Sequence, residues 1–218
     1  MTTLRTLSLL EARVLGVLVE KQHTVADSYP LSLNALVMGC NQKTARDPVI
    51  NATEAEVLVA LDALKALSLV VEVSGSRVSR YEHNMRRVLG LPSQSVAVLT
   101  LLMLRGPQTA AELRANTERL HRFADISSVE GFLDELAARE PALVVKLPRA
   151  PGAREQRWAQ LLCGPVEMAA ASHAGPDDLV GAGEIAALKA EQARLAVEMA
   201  ELRAVVERLA RELGIDPR

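Results

Sequence analysis

Aromatic residues are scarce in this 218-residue chain, because Phe, Trp and Tyr together make up only 2% of it. A protein that binds single-stranded nucleic acid by stacking bases on exposed rings needs more aromatic side chains, so this class is disfavoured. Cysteine is scarce as well. Cys40 and Cys163 lie far apart in the sequence, so a disulfide framework is not expected.

The chain also lacks a long apolar run and an excess of either charge. Its longest apolar stretch, residues 96–104, is far shorter than the ~20 residues that cross a bilayer, and Glu11 and Arg13 come too early for a secretory signal. Residues 1–90 carry 10 basic and 9 acidic residues, and residues 91–163 carry 9 and 8. We therefore expect a cytoplasmic protein without a membrane partner, in which no region has the strongly basic character of many nucleic-acid-binding domains.

One four-part pattern occurs twice: a capped amphipathic helix, Leu-Asp-x-Leu, an apolar triplet and a basic hairpin. The first copy runs from Thr53 to Arg77 and the second from Ser127 to Arg157. Two further helical segments precede each copy, which gives the helix, helix, helix, strand, turn, strand order of a winged helix. The sequence therefore predicts a mainly α fold with small β-hairpins, made of two tandem winged-helix domains at residues 1–90 and 91–163.

Local signals place the individual elements. Four capping boxes predict helix starts at Ser8/Glu11, Thr53/Glu56, Thr109/Glu112 and Ser127/Glu130. Pro30 is predicted to open the second helix. Alternating and apolar runs predict paired strands at residues 69–73 and 78–82, and again at residues 143–147 and 157–162.

The C-terminal quarter has a different composition. Residues 164–183 are rich in Gly and Pro and are predicted to form a flexible linker. From Ile185 to Leu213, apolar residues recur at alternating spacings of three and four, which predicts a coiled-coil-like helix over residues 184–213. Such a stripe needs a partner, so we expect a homo-oligomer formed through residues 185–213, with folding back onto the domains as the alternative.

Residue patterns typical of enzymes and metal sites do not occur. The four histidines are far apart and lack ligand spacing with either cysteine, and the sequence has no phosphate-binding loop, nucleophile elbow or zinc-protease motif. We therefore expect a non-enzymatic protein with no catalytic residues, no metal and no cofactor.

Two groups of residues are candidates for binding. The connection over residues 39–52 is too long for a simple turn, and the side chains of a predicted recognition loop within it are Cys40, Asn41, Gln42 and Thr44. The basic residues lie in this loop and on the two hairpins, where they are suited to phosphate contacts. The predicted nucleic-acid-binding residues are Lys43, Arg46, Arg77, Arg80, Lys146, Arg149, Arg154 and Arg157.

The third helices weaken the case for DNA. In a winged helix the third helix enters the major groove, but the exposed faces predicted here carry Asp62 in the first repeat and Asp134 and Glu135 in the second. Carboxylates repel phosphates, so these faces suit a protein partner better than a DNA groove.

The motifs resemble those of the bacterial YceH family over about residues 7–163. The resemblance rests on the segments Leu9–Gly16, Glu20–Gln22, Tyr29–Asn34, Cys40–Thr44, Arg77–Glu82, Leu104–Arg114 and Arg149–Glu155. It implies tandem winged-helix domains in a bacterial cytoplasmic protein and supplies no catalytic residues.

Two hypotheses follow. The first is a regulatory protein that associates with double-stranded DNA through the phosphates that its basic hairpins contact. The alternative is a protein-protein interaction adaptor built on winged-helix domains. The usual occupation of the fold and the basic hairpins favour DNA, whereas the near-neutral domains and acidic third helices favour a protein partner.

Overall fold

The structure, a computed structural model, describes residues 5–73 and 78–166. About half of these residues are helical, and the strands form two small antiparallel sheets. The predicted mainly α architecture with small β-hairpins is therefore confirmed. The predicted coiled-coil-like helix, most of the predicted linker and Arg77 lie outside the described residues.

The described elements follow one another in two similar series. The first contains α1 (Leu9–Thr24), β1 (Leu31–Ser32), α2 (Leu33–Cys40), α3 (Glu54–Ala66), β2 (Val70–Val73), β3 (Arg80–His83) and the short α4 (Met85–Leu89). The second contains α5 (Ser93–Arg105), α6 (Ala110–Asn116), α7 (Ile126–Ala137), β4 (Val144–Lys146) and β5 (Trp158–Gln160). Each series thus has three helices followed by a hairpin, as the repeated pattern predicts.

The first sheet contains one strand that the sequence analysis assigned to a helix. Its order is β1-β3-β2, and β1 pairs with β3 through Leu31 and Tyr81. Helix α2 begins only at Leu33, because the Ser32 side chain caps it by accepting a hydrogen bond from the backbone N–H of Ala35. The prediction that Pro30 opens this helix is therefore wrong.

Three of the four predicted capping boxes are confirmed, those at Ser8, Thr53 and Thr109. The fourth is wrong. Helix α7 is capped by Asp125, whose carboxylate accepts from the backbone N–H of Ser128 at 2.7 Å, and Ser127 lies in the first turn. An aspartate is as good a cap as a serine, and this one lies two residues earlier.

One hydrophobic core runs through both series of elements, on either side of residue 90. Its centre is the contact between α1 and α5, which are buried along most of their lengths. Gly16 lets the two helices approach closely, since a Cβ atom at this position would lie 2.9 Å from Cδ2 of Leu104. Among the described residues, no helix has both the length and the apolar content needed to cross a bilayer.

Candidate nucleic-acid interface

The second hairpin carries three exposed cations of the predicted interface, Lys146, Arg149 and Arg154. Arg149 and Arg154 lie exposed in the segment between β4 and β5, and neither forms a hydrogen bond or ion pair with another described residue. Lys146, at the end of β4, places its Nζ atom 5.2 Å from the centre of the buried Trp158 ring. This cation–π contact holds the ammonium group at the base of the hairpin while leaving the residue exposed.

Arg157 differs from its neighbours. Its guanidinium donates to the carbonyl oxygen of Pro107 at 2.9 Å and to Oε1 of Glu112 at 3.0 Å, and the side chain is only 33% exposed. The expectation that Arg157 is an exposed phosphate contact is therefore not met, since it fixes the hairpin to the start of α6.

The first hairpin offers fewer accessible cations among the described residues. Arg80 is exposed, but its guanidinium donates to the carbonyl oxygen of Pro30 at 2.8 Å and reaches that of Ser28 at 3.4 Å. Lys65 of α3 is paired with Asp62 and with Glu72 of β2, and these two carboxylates raise its pKa. Opposite charges therefore compensate each other around this hairpin.

Arg46 was predicted to contact nucleic acid but is buried. Its guanidinium donates to both carboxylate oxygens of Glu20, to Oε1 of Gln42 at 2.6 Å, and to the carbonyl oxygens of Gly39 and Ala45. With its side chain 0% exposed, it cannot meet a phosphate without leaving these partners. The guanidinium is inaccessible in this structure because the loop folds inwards over α1.

The predicted recognition loop is mostly occupied with its own structure. The Asn41 amide donates to the carbonyl oxygen of Ala52 and accepts from its backbone N–H, both at 2.8 Å, which closes the loop at the start of α3. Cys40 is buried, and burial raises the pKa of its thiol to about 12. Gln42 is used by Arg46, so only Lys43 and Thr44 of the predicted residues are exposed here.

The third helices carry acidic or apolar exposed faces. On α3, the exposed positions include Glu54, Glu56, Val59 and Asp62. On α7, they are Ile126, Ser127, Glu130, Gly131, Asp134 and Glu135. Neither exposed face presents a cation to a DNA groove.

The sequence patterns do not single out two charged residues that have partners in the loop, the buried Arg13 and the partly buried Glu20. Arg13 of α1 is 3% exposed and donates to the carbonyl oxygens of Cys40 and Pro48, and desolvation lowers its pKa. Glu20, on the same helix, is the counterion of Arg46. Both residues lie on α1, and their partners lie in the loop over residues 40–48. Nothing in the sequence of α1 indicates these distant partners. Among the described residues, no group of three His, Cys, Asp or Glu side chains could hold a metal ion.

Comparison with known proteins gives a consistent result. A family model described as "Protein of unknown function, DUF480" matches residues 7–153. The chain is 76% identical over 215 residues to the UPF0502 protein Mpe_A1449 of Methylibium petroleiphilum, a match that covers 98% of this chain and 92% of that protein. It is 69% identical over 214 residues to the UPF0502 protein BTH_II0990 of Burkholderia thailandensis, with the same coverage. The chain therefore belongs to the DUF480 family of bacterial proteins.

Proposed function

We propose that this chain is a non-enzymatic, cytoplasmic tandem winged-helix protein that associates with double-stranded DNA and acts as a regulator. In this proposal the second hairpin holds DNA through phosphates. The observation that carries it is the pair of exposed guanidinium groups of Arg149 and Arg154, which have no partner among the described residues.

The geometry supports contacts with the phosphate backbone of DNA more than contacts that read the base sequence. The two arginines lie on a hairpin anchored by Arg157 and Trp158, so their chain segment is held while their side chains remain in water. Exposed arginines suit phosphate oxygens, and such contacts fix position without selecting bases. The acidic face of α7 makes base reading by that helix unfavourable. The expected binding to DNA is weak and largely independent of the base sequence.

The test is a titration of labelled random duplex DNA with the full chain at several salt concentrations, followed by fluorescence anisotropy. Each phosphate neutralised should contribute about 0.9 to the slope of log affinity against log salt. Replacing Arg149 and Arg154 with Ala should weaken binding to every duplex and flatten the slope by about 1.8. Arg157 is left intact, because its removal would also loosen the hairpin.

A matched control removes the same charge elsewhere. Arg86 and Arg87 are exposed on α4, so the Arg86→Ala/Arg87→Ala variant has the same net charge as the hairpin variant. The proposal predicts that the control keeps most of the affinity. Equal weakening by both variants would show a diffuse charge effect, and absence of a complex at low salt and tens of micromolar protein would refute the proposal.

The second candidate function is a protein-protein interaction adaptor. It is favoured by the acidic exposed faces of α3 and α7, because a protein partner tolerates carboxylates that DNA would repel. Under this function, duplex DNA binds weakly at physiological salt and the hairpin variant behaves like its control.

A further inference from the structure

An apolar groove lies beside the first turns of α1 and α3. It consists of two adjoining pockets of about 270 and 340 Å³ that share Leu10 and Glu56 in their linings. Its apolar lining includes Leu9, Leu10, Ile50, Ala55, Val59 and Met103. Leu9 and Val59 are 69% and 71% exposed, so two large apolar side chains stand in water on this surface. Clustered exposed apolar residues of this kind typically mark an interaction site.

The dimensions of the groove suit a helix. Along α3 the lining reaches Ala60, and the helical part from Glu54 to Ala60 corresponds to roughly 9 Å at the helical rise. Ala52, before the extended N-cap Thr53, lengthens the lining further to about two helical turns. That length accommodates two turns of an amphipathic helix, whose apolar residues at i, i+4 and i+7 would follow one another along the floor.

The rim of the groove is acidic. Asp47 and Glu56 line it, and Glu54 is exposed in the first turn of α3. Two arginines lie nearby, and neither compensates Glu54 or Glu56. Arg5 forms an ion pair with Glu11 at 2.7 Å, whereas the buried Arg13 donates to carbonyl oxygens and is attracted electrostatically to Asp47, whose charge it partly compensates. A ligand in the groove therefore meets an apolar floor beside the uncompensated carboxylates of Glu54 and Glu56.

We propose that this groove binds an amphipathic helix of a partner protein whose polar flanks are basic. Charge complementarity selects this occupant. A second copy of the chain offers α3 and α7 with acidic exposed faces, and its exposed Arg86 and Arg87 lie on α4, a helix of only 5 residues. Residues 184–213 contain 5 basic and 6 acidic residues. None of these combines a length of two helical turns with the excess of basic residues that the rim requires. The proposal is independent of DNA binding, because none of the groove residues lies on the second hairpin.

The test uses the full chain and two synthetic fluorescein-labelled peptides of roughly four helical turns. Both peptides carry Leu along one helical face. The residues that flank this face are Lys in the first, the Lys peptide, and Glu in the second, the Glu peptide. The Lys peptide should bind and the Glu peptide should bind at least tenfold more weakly. The Leu9→Ala/Val59→Ala variant should weaken the Lys peptide about tenfold, since it removes two exposed anchors. Met38→Ala, which removes a side chain 66% exposed outside the groove, should have no effect.

A charge variant separates complementarity from simple apolar adhesion. Glu56→Gln keeps an acceptor for the Thr53 cap but removes the negative charge, so it should weaken the Lys peptide and narrow its advantage over the Glu peptide. Glu130→Gln on the exposed face of α7 is its control. Equal affinity for both peptides, or binding that is indifferent to the groove variants, would overturn the proposal.

Cross-linking identifies the occupant directly. A photoreactive benzoylphenylalanine at position 59, followed by mass spectrometry, should capture the added Lys peptide. Capture of a second copy, or of residues 167–218 of the same chain, in preference to the peptide would assign the groove to that occupant and refute a partner helix.

Discussion

The substitution Arg46→Met tests how much the hydrogen bonds of the buried Arg46 guanidinium contribute to stability. The substitution keeps an unbranched side chain of similar length but removes the charge and all donors. Glu20 would then lose two hydrogen bonds, and Gln42, Gly39 and Ala45 would each lose a donor.

The expected loss in the free energy of unfolding depends on the partners that Glu20 keeps. Removing one partner of a buried charge pair typically costs about 3–5 kcal/mol, because the other charge is left uncompensated. Here the Glu20 side chain is 17% exposed and keeps Lys21 at 3.6 Å, which places the expected loss near the lower end, at about 3 kcal/mol. With a urea m-value of about 2 kcal/mol per molar, the midpoint of unfolding should fall by about 1.5 M.

Urea unfolding followed by far-UV circular dichroism and by Trp158 fluorescence measures this loss. Arg149→Met is the matched control, since that guanidinium is exposed without partners among the described residues, and its effect should stay within about 0.5 kcal/mol. Glu20→Gln and the double variant complete a cycle with an expected coupling of about 1 kcal/mol or more. A midpoint for Arg46→Met equal to that of the control, or strict additivity in the cycle, would refute this account.

Three further predictions concern a helix cap, the thiols and pH. Asp125→Ala should lower the free energy of unfolding by about 1 kcal/mol, whereas Ser127→Ala should change it by a few tenths, and urea unfolding would detect a reversal. Cys163 should react with Ellman's reagent faster than Cys40 in the folded protein at pH 8, because Cys40 is buried with a thiol pKa of about 12, and equal rates would contradict its burial. Burial lowers the pKa of His83 from 6.5 to about 4, so the unfolded chain takes up this proton first and stability should fall as pH decreases from 6.5 towards 4; His83→Gln should reduce that fall, and an unchanged pH profile would contradict it.

Helix starts were predictable because their signals are local. A serine or threonine followed by a glutamate three positions later satisfies two backbone donors within a single turn, and Ser8, Thr53 and Thr109 do so in the structure. At α7 the same pattern begins at Ser127, but Asp125 reaches the N–H of Ser128 and the helix starts earlier. Two competing local caps cannot be ranked from the sequence alone.

Strand β1 was not predictable in the same way. It has two residues, and its partners in β3 lie about fifty positions later in the chain. Nothing in the neighbourhood of Leu31 distinguishes a short edge strand from the start of a helix, since Pro30 is compatible with both. Only the tertiary pairing decides between them.

In the candidate site, too, exposure could be predicted where it depends on local sequence and not where it depends on a distant partner. Arg149 and Arg154 were predicted to be exposed and are exposed, because a Pro- and Gly-bearing hairpin tip leaves few ways to bury a side chain. Arg46 looks equally accessible in the sequence, but its counterion Glu20 lies on a helix 26 positions earlier. A loop cation therefore cannot be assigned to a ligand until the charges on the helices that face it are known.

The loop from Asn41 to Ala52 links the two series of elements. The backbone N–H of Asp47 donates to the carbonyl oxygen of Leu104 at 2.8 Å, where α5 ends, and Arg13 holds the carbonyl oxygens of Cys40 and Pro48 from α1. The loop backbone is thus hydrogen-bonded both to Arg13 of α1 and to the end of α5, so it bridges the two helices. The same loop also lines the apolar groove. A ligand bound in the groove should therefore alter the packing of α1 against α5, which is the centre of the common core.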